Sequence, residues 1–317
     1  MRISFVATVF NEEKTVVKLL DSLVGQSRLP DEIIVVDGGS SDNTVAKLKT
    51  QSPIQSGTKL KTPIELKIII KKGNRSVGRN EAIRNAASDI IVCSDAGCIL
   101  DKNWVKNIIE PFFDPKVEVV AGYYNGYAKT IFEKCIVPYV LVMPDKINSK
   151  NFLPSSRSMA FRKSIWKKVG GFPEQFSYNE DYVFARKLKK IEANIVLAKD
   201  AIVYWMPYAN LRDSFIMFFR FALGDAEATI FRPKVLLLLV RYIFGISLLT
   251  YFLVFKSFFL LNTLYLTLFL YLLWAVLKNY GYIKHPMAFV YLPLLQAVSD
   301  VAVILGTLTG IARYFKL

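Results

Sequence analysis

Three apolar runs close this chain, at residues 235–255, 257–277 and 287–309. Each is about as long as the roughly 20 residues a helix needs to cross a hydrocarbon core. Of 41 Lys+Arg and 26 Asp+Glu in 317 residues, only Arg241, Lys256, Lys278, Lys284, Arg313, Lys316 and Asp300 lie beyond residue 234. The rear is therefore expected to form about three membrane spans, the first two joined tightly at Lys256. Arg241, near the entry of the first span, is expected to snorkel toward the headgroups. Asp300, with Gln296 one turn before it, is costly at membrane depth and is expected to face other helices. The front is long enough for one α/β domain with its own core. Its basic balance and the basic loop at 278–284 place it on the cytoplasmic side by the positive-inside rule, although Arg313 and Lys316 then fall outside. No cleavable leader is expected, because the chain opens directly into a strand pattern.

Residue types limit the chemistry. Cys93, Cys98 and Cys135 have neither metal nor disulfide spacing, and His285 is the single histidine. Ser-His-Asp, Cys-His and histidine-rich zinc chemistry are thereby set aside, so general-base work falls to carboxylates. The front has no basic face interleaved with aromatics, which argues against nucleic acid. A membrane surface and a phosphate-bearing ligand explain its charge more economically.

In the front part, strand patterns at 3–10, 32–36, 66–70 and 89–94 alternate with helix patterns at 12–24, 42–49 and 77–87. Asp42 stands near the cap of the second helix, and 51–63 reads as an exposed loop. This order implies an α/β fold with a mostly parallel sheet covered on both faces. Open sheets of this kind bind ligands beyond the carboxyl ends of their strands. Three of those ends carry acids: Thr8-Val9-Phe10-Asn11-Glu12, Asp37-Gly38-Gly39-Ser40, and Ser94-Asp95-Ala96-Gly97. Three carboxylates at neighbouring strand ends point to a nucleotide or metal–diphosphate site. Lys72, Arg75, Arg79 and Arg157 are candidate phosphate partners.

At these residues the sequence resembles the family 2 glycosyltransferases, which have the GT-A fold. The likeness is carried by Phe10-Asn11-Glu12, Val36-Asp37-Gly38-Gly39-Ser40-Ser41-Asp42, Gly78-Arg79-Asn80-Glu81-Ala82 and Ser94-Asp95-Ala96-Gly97. It continues through Met159-Ala160-Phe161-Arg162, Gly170-Gly171-Phe172-Pro173-Glu174 and Asn179-Glu180-Asp181. It spans about residues 2–205.

The resemblance implies inverting transfer of a sugar from a nucleotide-diphosphate donor, with GDP-mannose and UDP-sugars both compatible. Thr8, Phe10, Glu12 and Asp37 match nucleoside-binding positions, and Arg79, Ala96 and Arg157 join them as nucleotide-sugar contacts. Asp95 matches the first acid of the Asp-x-Asp motif, near the donor sugar, the diphosphate and a divalent metal. Gly97 stands where the second acid is normally found, so Mg²⁺ or Mn²⁺ would rest on Asp95, donor phosphates and water. The alternative is a metal-independent enzyme in which Arg or Lys neutralises the diphosphate. Asp181 matches the base that accepts the acceptor's proton, with Glu180 as the alternate. A carboxylate base favours a hydroxyl acceptor on a membrane lipid-linked glycan. A polyprenyl- or dolichol-phosphate sugar synthase, whose acceptor is already ionised, is the closest alternative. A catalytically silent nucleotide-sugar-binding membrane protein is another.

Residues 206–234 set Phe215, Ile216, Phe218, Phe219 and Phe221 among Arg212, Asp213, Arg220 and Asp225, a pattern suited to helices lying in the membrane interface. The expected organisation is a GT-A domain at 1–205, interfacial helices at 206–234 and membrane helices at 235–317. No Gln-x-x-Arg-Trp signature of processive synthases is present, which favours single additions.

Overall fold

The computed structural model describes residues 1–51, 64, 66–149 and 151–315. The loop expected at 51–63 lies outside the described residues from 52 onward, as does Lys316. The chain divides into two compact units, Met1–Tyr127 with Met143–Met206, and Ala128–Val142 with Pro207–Leu317.

The first unit is an eight-stranded sheet. Strands β1 (Ile3–Val9), β2 (Glu32–Asp37), β3 (Leu66–Ile70) and β4 (Ile90–Cys93) are connected through helices α1 (Val16–Val24), α2 (Thr44–Thr50) and α3 (Arg75–Asn85). They pair in parallel in the order β3-β2-β1-β4. The run Ile33 to Val36 is buried on both faces, which is why its apolar residues are continuous rather than alternating. The helix expected at 12–24 begins only at Val16, because Glu12 is used in a turn: its carbonyl accepts from the Thr15 and Val16 amides.

Beyond β4 the sheet becomes mixed. After β5 (Cys98–Leu100), helix α4 (Trp104–Ile109) and β6 (Val119–Gly126) follow. Later come β7 (Met159–Arg162) and β8 (Ile195–Trp205), giving the full order β3-β2-β1-β4-β7-β6-β8-β5. Strand β7 lies antiparallel between β4 and β6, whereas β6 and β8 are parallel. Helix α6 (Lys163–Lys168) and helix α7 (Glu180–Lys190) pack over this half. Its core holds Phe161, Phe172 and Phe184, the last two stacked with centroids 4.1 Å apart.

The second unit is helical: α5 (Ile131–Val140), α8 (Leu211–Glu227), α9 (Pro233–Phe255), α10 (Phe258–Ile283) and α11 (Ala288–Tyr314). The last three are long and apolar enough to cross a membrane, at 23, 26 and 27 residues. At 1.5 Å per residue each exceeds the ~30 Å of hydrocarbon. Lys256 and Lys284 end α9 and α10 in the left-handed conformation, at φ 46° and 49°. Helix α8 lies along α11, where Gly306 and Gly310 allow backbone approach. A Cβ on Gly310 would stand 2.7 Å from the Leu223 carbonyl oxygen.

Arg241 does not snorkel. Its guanidinium pairs with Asp300, because α9 and α11 lie side by side and an ion pair in apolar surroundings outweighs the reach to water. Asp300 Oδ2 also accepts from the Tyr271 hydroxyl at 2.6 Å and the Tyr242 hydroxyl at 3.2 Å. Gln296 donates to Oδ1 at 2.8 Å and accepts from Lys278 at 2.7 Å. Asp300 thus faces other helices, as its cost at that depth demanded.

Candidate active site

The site gathers at the carboxyl ends of β1, β2 and β4, and each acid there has a different job. Asp37 is buried and its carboxylate is spent on its own turn. Oδ1 accepts from the Gly39 and Ser40 amides, both at 2.9 Å, and Oδ2 accepts from the Ser40 hydroxyl at 2.5 Å. Gly39, at φ 97°, supplies the backbone conformation this turn requires. Asn11 ties the neighbouring strand end to it: its amide donates to Ser40 Oγ at 2.8 Å and its side-chain oxygen accepts from Ser41 N at 2.9 Å. Phe10 is exposed beside Gly38. The Glu12 amide donates to Thr44 Oγ1 at 2.7 Å. Burial raises the Glu12 pKa, opposed by the Thr15 hydroxyl and Arg75 and assisted by Asp95 and Asp42. Asp42, half-buried, accepts from the Thr44 amide, and its hydrogen bonds outweigh desolvation to hold its pKa low.

Helix α3 packs so closely on β1 that a Cβ on Gly78 would come 3.0 Å from Thr8 Cβ. That approach carries Arg79 into the interior. Its guanidinium is 3% exposed and bridges two acids, Glu180 at 2.5 Å and Asp95 at 2.8 Å, while donating to Ser156 Oγ at 2.9 Å. The Phe172 ring lies 5.5 Å beneath it. Asn80, the next residue, clamps the glycine loop: it donates to the Phe172 carbonyl at 2.8 Å and accepts from the Phe172 amide at 2.9 Å. Gly171, at φ 72°, approaches so closely that a Cβ would stand 2.9 Å from the Asn80 side-chain oxygen. Asn80 and Gly171 therefore anchor the loop that leads into α7 and its two acids.

Glu180 is buried at the start of α7 and committed to Arg79. Asp181, beside it, is only partly buried. Its Oδ2 accepts from Ser155 Oγ at 2.8 Å and the Ser156 amide at 3.2 Å, and its Oδ1 from the Tyr182 amide at 2.8 Å.

Asp95 is also partly exposed. Burial pushes its pKa up, but Arg79, Arg157 and Arg75 outweigh that and hold it below the ordinary value. Arg157 is sandwiched between the Tyr124 and Trp205 rings, at 5.7 and 5.6 Å, and makes no ion pair among the described residues. Burial lowers its pKa, yet Asp95, Cys98, Tyr124 and Asp181 raise it on balance. Ala96 is buried, and Ser94 Oγ donates to the Arg157 carbonyl at 2.8 Å. Cys93 and Cys98 are buried thiols whose pKa values burial pushes up to about 12, which suits packing rather than reactivity.

Asp95, Arg79, Arg157, Glu180 and Asp181 thus form one constellation, with Ala96 beside it. Thr8, Phe10, Glu12 and Asp37 belong to the adjoining β1–β2 end. Ser155, Ser156, Tyr124 and Trp205 were not found from sequence. The only available signal was that Ser155 and Ser156 directly precede Arg157.

Among the described residues no three His, Cys, Asp or Glu groups come together to hold a metal. The donor set fits a divalent ion only as a partner of phosphate: Asp95 Oδ1 is taken by Arg79, leaving Oδ2, and Gly97 contributes no side-chain oxygen. The space beside Gly97 is open, with no atom within 4 Å of where a Cβ would stand. Hard six-coordinate ions such as Mg²⁺ and Mn²⁺ accept such a site because phosphate and water complete the shell.

Residues 4–169 match the model of the glycosyl transferase family 2, and residues 90–295 match that of glycosyl transferase family group 2. The chain belongs to glycosyl transferase family 2, and it is a glycosyltransferase with a GT-A catalytic domain. It is similar to the O-antigen chain rhamnosyltransferase RfbN of Salmonella typhimurium, 25% identical over 243 residues, covering 69% of this chain and 71% of that one. It is also similar to the poly-beta-1,6-N-acetyl-D-glucosamine synthase of Staphylococcus aureus, 29% identical over 123 residues. That match covers 38% of this chain and only 28% of the relative. Among solved structures it resembles the mannosyltransferase PcManGT from Pyrobaculum calidifontis in complex with GDP-Man and Mn²⁺. There the TM-score is 0.63 at 16% identity, over 95% of this chain and 87% of the other. At that identity the likeness is one of fold.

Proposed function

We propose that this chain is a membrane-bound inverting glycosyltransferase that moves a sugar from a nucleotide-diphosphate donor to a hydroxyl of a lipid-linked acceptor at the cytoplasmic face. The observation that carries the reading is the Arg79 bridge. It brings the donor-side acid Asp95 and the α7 acids into one cluster and leaves Asp181 as the partly open carboxylate of its pair.

In this reading the nucleoside lies over the β1–β2 end, against Phe10, Thr8, Glu12 and the Asp37 turn. Asp37 holds the turn that shapes this end of the site. The diphosphate lies by Asp95 and Ala96, with Arg157 and Arg75 offsetting its charge and Arg79 holding Asp95 in place. The acceptor oxygen attacks the anomeric carbon from the face opposite the diphosphate. As that bond forms, the bond from the anomeric carbon to phosphate oxygen breaks, its electron pair leaves with the nucleoside diphosphate, and the hydroxyl proton passes to Asp181. Glu180 serves Arg79 and takes no part in proton transfer. A Mn²⁺ or Mg²⁺ ion bound at Asp95 would neutralise further charge on the leaving diphosphate.

The acceptor class rests on the similarity to an O-antigen chain rhamnosyltransferase and on the need for a base when a neutral hydroxyl attacks. The mannosyltransferase neighbour, with GDP-Man and Mn²⁺, makes GDP-mannose and Mn²⁺ the first donor and ion to try. Thermal melting of the full chain with GDP, UDP and dTDP, each with and without Mn²⁺, tests the donor site. One nucleotide should raise the melting temperature, and continue to raise it as its concentration exceeds its Kd. No response to any of the three removes the donor reading.

A further inference from the structure

We propose that Ser156 is a positioning residue whose single hydroxyl proton is shared between the donor-side acid Asp95 and the base Asp181, coupling the two halves of the reaction. The proposal rests on the reading of Asp181 as the base. Ser156 is buried, and its oxygen is pinned by the Arg79 guanidinium, which donates to it at 2.9 Å. The same oxygen lies 3.3 Å from Asp95 Oδ2 and 3.4 Å from Asp181 Oδ2. Two ionised carboxylates are acceptors only, and a hydroxyl has one proton to give. Both contacts are longer than the about 2.5–3.0 Å of a strong hydroxyl bond, and the one proton can serve only one of the two acids at a time.

The consequence falls on the base. Asp181 Oδ2 already accepts from Ser155 Oγ and the Ser156 amide, which occupy its two lone-pair directions. A third donor competes with the acceptor hydroxyl for that oxygen. When the Ser156 proton turns to Asp95, Asp181 is freed to accept from the acceptor hydroxyl. Whatever occupies Asp95 therefore changes how open Asp181 Oδ2 is to the acceptor. The charged and titratable groups around Asp181 are Arg79 from α3, Asp95 and Cys93 at the β4 end, Tyr124 from β6, Arg157, and Glu180 on its own helix. Of these, Arg79 also donates to Ser156 Oγ, so Ser156→Thr, which keeps that oxygen, is the control for its loss.

The test is the pH dependence of kcat for the full chain in lipid nanodiscs at saturating donor, for wild type, Ser156→Ala, Ser156→Thr and Asp181→Asn. Ser156→Ala should lower kcat about tenfold, because Arg79 and Asp95 lose the hydroxyl held between them. Its acid limb should move up by about half to one pH unit, since Asp181 loses a donor. Donor KM should change less than kcat, and Ser156→Thr should restore both rate and limb. If Ser156→Ala fails to fold, Ser156→Cys, a weak donor of similar size, carries the same expectation. Wild-type kcat and an unmoved limb in the Ala or Cys variant, with Asp181→Asn inactive, overturn the proposal while leaving the base intact. An active Asp181→Asn enzyme removes the base, and this proposal with it.

Discussion

Arg79→Met is the most informative single change, because its cost follows from burial rather than from surface charge. The Arg79 and Glu180 side chains are 3% and 5% exposed and 2.5 Å apart, and among the described residues Glu180 pairs with no second cation. Removing one member of a buried pair strands the other charge and costs about 3–5 kcal/mol. Asp95, with a side chain 35% exposed, is partly screened by water and adds little. For a unit of this size the loss corresponds to a melting temperature lower by roughly 6–20 °C. Arg79→Met/Glu180→Leu should recover most of it, because an apolar pair of similar volume replaces the ion pair. Sugar transfer should stay lost in both, since Asp95 is no longer held. The pH dependence carries a second signature. The Asp95 pKa is depressed in the folded state, so its contribution to stability is present above about pH 4 and fades as pH falls through the folded value. Wild type should show this acid loss, and Arg79→Met should show less of it. The measurement is thermal melting of the full chain in detergent across pH. A drop of under about 2 °C for Arg79→Met, or a double variant no more stable than the single one, would refute the reasoning.

Gly97→Asp should be tolerated, with melting within about 2 °C of wild type, because open space surrounds the position and its φ lies outside the left-handed range. A second carboxylate beside Asp95 should tighten Mn²⁺ binding, read from Mn²⁺ titration by electron paramagnetic resonance; unchanged affinity would contradict the placement. Asp300→Leu should destabilise the helical unit by roughly 3 kcal/mol by stranding Arg241, and Arg241→Met/Asp300→Leu should be more stable than Asp300→Leu. Heat-induced aggregation of the full chain in detergent reads this, and equal melting of the two variants would count against the pair.

The front sheet was legible because its signals are local. Continuous apolar runs gave β1 to β4, and the acids at their ends marked the binding edge. The reversed half was not legible. Strand β5 is three residues long, and β7 finds both partners, β4 and β6, only through long-range pairing. Helix α5, ten residues with Pro138 inside, carries no sequence sign that it packs with the helical unit. Arg79 read as a phosphate partner at the ligand edge; its bridge between two acids was not legible, since burial of an arginine depends on Asp95 and Glu180 being brought to it by the fold. Likewise Arg241 and Asp300 were each conspicuous, but nothing local pairs residues 59 positions apart. Small hydroxyls such as Ser156 leave no pattern at all; only the fold makes them neighbours of two carboxylates.

The central claim, that Asp181 takes the acceptor's proton during transfer from a nucleotide sugar, is tested most directly by one comparison. Wild type and Asp181→Asn, both full chain in nanodiscs, are incubated with labelled nucleotide sugars and lipid-linked glycan acceptors. Labelled product is counted, and donor binding is measured in parallel. Transfer should fall by about 10²–10⁴ in the variant while donor affinity holds, the range for loss of a general base. Transfer by Asp181→Asn at the wild-type rate would contradict the assignment and favour an acceptor that is already ionised, such as a lipid phosphate.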